Sequence, residues 1–120
     1  VKPKRAKPFA ANNASLKALE ASGWTVGIVE IRIPHCFITR DLYGFADLIA
    51  CSPSRGVMLV QVTGGTGKGN FNARVAKTLA EPRHAIWLAS GGRIQIHSWE
   101  TVKGTKQREC RVMELQNKTE

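Results

Sequence analysis

Two apolar runs separated by a short turn constrain the fold of this chain more than any other feature. Phe45-Ala46-Asp47-Leu48-Ile49-Ala50-Cys51 and Val57-Met58-Leu59-Val60-Gln61-Val62-Thr63 flank Ser52-Pro53-Ser54-Arg55-Gly56. Each run has strand length and the spacer has turn chemistry throughout, so the segment is expected to fold back as a β-hairpin. With the turn centred on Ser54, Cys51 lies opposite Val57 and Asp47 opposite Gln61. Opposed side chains on one face have Cβ atoms about 4.5–5.5 Å apart. Thr63, two residues beyond Gln61, shares that face. The polar intrusions into two apolar strands therefore meet. A buried carboxylate is costly unless paired or metal-bound, which singles out Asp47. Asp47 and Gln61 can hydrogen-bond each other or cap nearby backbone. Their oxygens also suit a hard cation such as Mg²⁺.

The remaining pattern supplies elements around this hairpin. Asn12 and Asn13 are good helix N-caps, Leu16 and Leu19 share a face, and Gly23 suits a C-terminal cap, so a helix is expected over 13–22. Trp24 to Ile33 is rich in β-branched residues and apolar on both faces, as a central strand is. Residues 34–44 form a loop with His35, Arg40 and Asp41, and 64–69 form a glycine-rich loop. Phe71, Val75 and Leu79 recur at helical spacing, and Pro82 opens a further short helix that ends at Gly91-Gly92. Residues 85–89 read as helix in preference to strand. Arg93 to Trp99 alternates as a fourth strand, residues 100–109 are a polar loop, and Cys110 to Leu115 adds an edge strand. The expected fold is α/β: a central mixed sheet, beginning as an antiparallel three-strand meander, flanked by helices. The organisation is a basic arm over 1–11, one domain over 12–116 and a frayed tail over 117–120.

Lys and Arg number 18 against 9 Asp and Glu, for a formal net charge of +9, which favours a polyanionic partner, nucleic acid before acidic lipid. The arm Val-Lys-Pro-Lys-Arg-Ala-Lys-Pro is either a phosphate contact or a solvated tail. No run reads as a membrane span or signal peptide, so a soluble cytoplasmic protein without membrane partners is expected. Cys36, Cys51 and Cys110 form no CxxC pair and read as reduced thiols, and His35, His84 and His97 lack zinc-ligand spacing. Gly64–Gly69 evokes a P-loop, but that motif needs glycine where Val62 stands and Ser or Thr where Gly69 stands, which excludes it.

The order helix, strand, hairpin, with Asp47-Leu48-Ile49-Ala50 on one hairpin strand and Gln61-Val62-Thr63 closing the next, resembles the PD-(D/E)XK nuclease superfamily. The branch it resembles most is the Holliday-junction-resolvase-like one. The resemblance covers roughly residues 12–100 and implies a restriction-endonuclease-like core. It implies Mg²⁺ (or Mn²⁺) held by Asp47, Gln61 and the carbonyl of Val62. The position of the family lysine holds Thr63, and the helix acid of resolvases falls near Asn12, Glu20 lying too close to Gly23. Lys68 or Lys77 is a candidate to replace the lysine. Glu30, on the side of Trp24, Val26 and Ile28, is a candidate further carboxylate. Arg32, Arg40, Lys68, Arg74 and Lys77 are candidate phosphate contacts. The implied function is a metal-dependent DNA endonuclease acting on branched DNA such as Holliday junctions, as a homodimer. The alternatives are a catalytically inactive nucleic-acid-binding domain on the same fold and a small accessory interaction protein.

Overall fold

The structure, a computed structural model, describes residues 9–35, 38–64 and 68–117, excluding the Lys68 side chain. Most of the expected basic arm, Cys36, the middle of the glycine-rich loop and the last three residues lie outside the described residues. Helix α1 (Ala11–Ala21) is followed by strands β1 (Thr25–Ile28), β2 (Ile31–Ile33), β3 (Ile38–Arg40), β4 (Leu48–Ser52) and β5 (Gly56–Thr63). Helices α2 (Lys68–Ala80) and α3 (Arg83–Ala89) come next, then β6 (Arg93–Thr101) and β7 (Arg108–Glu114). The main sheet has the order β1-β4-β5-β6-β7, and β2 and β3 form a separate two-stranded sheet.

The expected meander is present as β1-β4-β5, all antiparallel, and β4 pairs β5 with Cys51 opposite Val57. The ladder ends at Leu48–Val60; just beyond it the Asp47 N–H donates to the Val60 carbonyl at 2.9 Å, and Gln61 Nε2 reaches Asp47 Oδ2 across the hairpin at 2.9 Å. β5 and β6 run parallel, which makes the sheet mixed. A parallel pair needs a crossover, here α2 and α3. Side chains alternate along β5 between two cores. Leu59 joins Phe45, Phe71, Leu88, Ile94 and Ile96 beneath α2 and α3. Val60 and Val62 join Leu19, Trp24, Leu48, Ala50 and Met58 beneath α1. The sheet is thus covered by helices on both faces. Fully buried side chains such as Leu59, Ile94 and Ile96 each contribute about 1.5–3 kcal/mol.

The structure corrects several local expectations. The strand expected over 24–33 breaks after Ile28. The Val29 N–H makes the last bond of that ladder, to the Asp47 carbonyl at 3.0 Å. Upstream of Asp47 the partner chain turns away, in a tight reversal where Phe45 and Ala46 N–H groups both reach the Leu42 carbonyl. Residues from Ile31 onward must find another partner for their backbone groups, and they pair with Ile38–Arg40, inside what reads as a loop. The same reversal delays β4 until Leu48. The N-cap of α1 is Ala10, without a side-chain bond, because the Asn12 amide is engaged by Glu30 instead. The helix therefore starts at Ala11, inside the expected arm. Gly23 does close it, at φ +94°, and the Trp24 N–H reaches back to the Leu19 carbonyl at 3.0 Å.

A buried polar chain ties α1 to the far strands. Trp99 Nε1 donates to Ser15 Oγ at 2.8 Å, and Ser15 Oγ lies 2.8 Å from His97 Nδ1. Gln95 presents its amide oxygen to His97 Nε2, so the neutral ring carries its proton there and Nδ1 accepts from the Ser15 hydroxyl. His97 Nε2–H then donates to Gln95 Oε1 at 2.9 Å, and Gln95 Nε2 to Glu114 Oε1 at 3.0 Å. Burial pushes the His97 pKa down to about 4, in keeping with a neutral ring.

Candidate functional site

Three carboxylates converge where β1, β4 and the β2–β3 ribbon meet. Glu30, Asp41 and Asp47 each offer an oxygen within 4.8 Å of the others. Glu30 sits in the break between β1 and β2, tethered by Asn12 Nδ2 at 2.8 Å. Asp41 follows β3, and the reversal over 42–46 carries the chain from it back to Asp47. That reversal uses left-handed backbone at Tyr43 (φ +56°) and Gly44 (φ +78°). Asp47 is 5% exposed. Its Oδ2 accepts from the Val62 N–H at 2.8 Å and from Gln61 Nε2 at 2.9 Å. Burial, chiefly, pushes its pKa up to about 7, reinforced by Asp41 and Glu30, while the Val62 N–H pulls the other way.

Gln61 is 1% exposed. Its Nε2 also donates to the Val62 carbonyl at 3.2 Å, while its Oε1 has no partner among the described residues. An orphaned buried acceptor is costly. The amide nitrogen occupies the space between two oxygens, Asp47 Oδ2 and Val62 O, which would both attract a cation. Converging carboxylates, an amide oxygen and a carbonyl are the hard donor set that Mg²⁺, Mn²⁺ or Ca²⁺ prefers.

Cations border the acids. Lys77 on α2 places Nζ 3.3 Å from Asp41 Oδ2. Two open clefts flank the cluster and share Thr39. One, of about 420 Å³, is lined by Ile28, Glu30, Arg32 and Thr39. The other, of about 470 Å³, is lined by Thr39, Arg40, Asp41, Tyr43, Gly44, Lys77 and Arg83. Among the described residues Arg32 and Arg40 have no carboxylate partner within ion-pair distance. A further groove of about 440 Å³ between α3 and β7 has apolar walls from Leu79, Ala85, Leu88, Met113 and Leu115, with His84, Glu114, Gln116 and Asn117 also lining it.

Compared with family models, with curated proteins and with solved structures, the chain finds no match.

The structure brings Asp47, Gln61, the Val62 carbonyl, Glu30 and Lys77 together, with Arg32 and Arg40 in the flanking clefts. Thr63 is buried at the end of β5, and Arg74 lies half-buried on α2 away from both clefts. Lys68 opens α2, and its side chain lies outside the described residues. Asp41 was not legible as a site residue, because its position depends on the Leu42–Ala46 reversal. Gly44 is the available signal for that reversal, since it marks a left-handed turn position. Among the described residues no helix is long and apolar enough to cross a membrane.

Proposed function

We propose that this chain is a metal-dependent DNA endonuclease domain of the PD-(D/E)XK type, with branched DNA as its substrate class and a homodimer as its working form. The observation that carries the proposal is the convergence of Asp47, Glu30 and Asp41 at one point, with the buried Gln61 amide bonded to Asp47 at the end of a β-hairpin. A net charge of +9 surrounding an acidic cluster adds support, since an inert basic surface gives no reason to collect carboxylates at one point. Asn12 stands where a resolvase would carry its helix acid, and it holds Glu30, so a carboxylate is supplied there by the strand break.

The donor set fits Mg²⁺ or Mn²⁺. Asp47, Glu30 and Asp41 would hold it together with the Val62 carbonyl, and a half-turn of the Gln61 amide would present Oε1 in place of Nε2. Bound there, the ion supplies Lewis-acid polarisation of the scissile phosphate and lowers the pKa of a coordinated water. The side chains do the remaining work. Lys77, held by Asp41, takes the role of the lysine missing at Thr63 and offers its ammonium to charge developing on the phosphate. Arg32 and Arg40 fix the flanking phosphates from the two clefts.

Thr63 at the lysine position favours the second reading, a DNA-binding domain that has lost catalysis. One assay separates them. The protein and an Asp47→Ala variant are incubated with branched, single-stranded and duplex DNA in Mg²⁺ or Mn²⁺. Cutting by the parent alone is expected. Cutting that survives Asp47→Ala sinks the site assignment, binding without cutting by either protein favours the second reading, and no binding at low salt leaves an accessory interaction protein.

A further inference from the structure

We propose that Arg83, stacked on Tyr43 beside the acid cluster, is a shelf for one unpaired nucleobase next to the cleaved phosphate. The inference rests on the nuclease reading and narrows its substrate to DNA with a base out of the helical stack. The Arg83 guanidinium carbon lies 5.0 Å from the centre of the Tyr43 ring. Its terminal nitrogen donates to Glu81 Oε1 at 2.7 Å, while the Arg83 backbone N–H takes Glu81 Oε2 at 3.0 Å. Glu81 thus clamps the guanidinium from the side. The Arg83 side chain remains 52% exposed.

The floor of the shelf is equally fixed. Tyr43 sits in left-handed backbone, a conformation that costs a non-glycine residue and persists only where the surroundings impose it. Its ring leans on the buried Phe45 with centroids 6.5 Å apart. An exposed ion pair such as Arg83–Glu81 adds little to stability, so folding alone does not account for a guanidinium held over an aromatic ring in an open cleft. Arg40 and Lys77 line the same cleft and supply cations for the phosphates on either side of such a base. Arginine planes and aromatic rings stack single-stranded or extruded bases, which bases already stacked in a duplex cannot exploit.

The test measures binding in EDTA, so that it does not depend on cleavage. A duplex with one unpaired nucleotide is compared with the same duplex carrying an abasic residue at that position. The parent protein is expected to prefer the base by about tenfold, within the range of one stacked base. Arg83→Ala and Arg83→Lys are both expected to bring the ratio near one, because lysine keeps the charge and loses the plane. Equal binding of base and abasic DNA by the parent overturns the shelf, as does a full preference in Arg83→Lys. Mg²⁺-dependent cutting without base preference removes the shelf alone, whereas base preference without cutting removes the nuclease reading alone.

Discussion

Gln61 Nε2 lies 2.9 Å from Asp47 Oδ2 across the hairpin, while Oε1 of the same buried amide has no partner among the described residues. The amide satisfies the carboxylate at the cost of its own oxygen. A cation at this point would reverse that arrangement, leaving Oε1 engaged and the Asp47 proton displaced.

Asp47→Asn should stabilise the metal-free protein at pH 8 and abolish its response to Mg²⁺. Burial raises the Asp47 pKa from 3.8 to about 7, so the folded chain binds this proton more tightly than the unfolded one. The resulting destabilisation is complete above pH 7 and is relieved as pH falls from 7 towards 4. The expected gain for Asp47→Asn is roughly 5–10 °C in Tm, read by thermal shift with and without millimolar Mg²⁺. A variant that is no more stable than the parent at pH 8 contradicts the strain assigned to the carboxylate.

Gln61→Glu should act in the opposite sense. A fourth carboxylate lowers Tm in EDTA and tightens Mg²⁺ binding by about tenfold, equivalent to ~1.4 kcal/mol. Calorimetric titration of the ion into both proteins reads the affinity directly, and an unchanged Kd places Gln61 outside the ion's reach.

Lys77→Ala should slow DNA hydrolysis by about 10²-fold, the scale of losing one charge-stabilising donor, with less than about threefold loss of DNA affinity. Lys77 is 42% exposed, and its pairing with Asp41 is a surface contact. Parallel single-turnover and binding measurements separate the two effects, and equal losses in both would make Lys77 a phosphate contact only.

His97 sets a second, opposing pH dependence. Burial lowers its pKa from 6.5 to about 4, so between these values the unfolded chain binds a proton that the folded chain refuses. Stability present above pH 6.5 is lost as pH falls towards 4. In the parent this loss is offset by protonation of Asp47. Urea denaturation of Asp47→Asn at pH 7, 5.5 and 4.5 should therefore show a steeper acid decline than the parent.

Ser15→Ala removes the hydroxyl that receives Trp99 Nε1–H and donates to His97 Nδ1. Two buried groups lose their partner at about 1–3 kcal/mol each, and a drop of roughly 10 °C or more in Tm is expected. Ser15→Thr keeps the hydroxyl and should retain most of the stability; a Thr variant as unstable as Ala would shift the cause to packing.

The hairpin, the contact of Asp47 with Gln61, two helical segments after it and two strands after those were legible in the chain itself, though α2 starts at Lys68 inside the expected glycine-rich loop and β6 and β7 extend into the expected loop over 100–109. Each depends on turn chemistry and apolar periodicity among near neighbours, which are local properties. Glu30 was legible as a candidate carboxylate, but on a straight strand it belongs to the α1 side with Trp24 and Val26. Only the tertiary structure turned it towards Asp47, because the ladder runs out of partner at Asp47 and the backbone must pair elsewhere. The same necessity made β2 and β3 a ribbon, brought Asp41 into the cluster through a left-handed turn, and delivered Lys77 from a helix that periodicity predicts without an orientation. Local pattern chose the strands and their polar intrusions. Which charges gather around Asp47 was decided by where backbone hydrogen bonds between distant segments could be made.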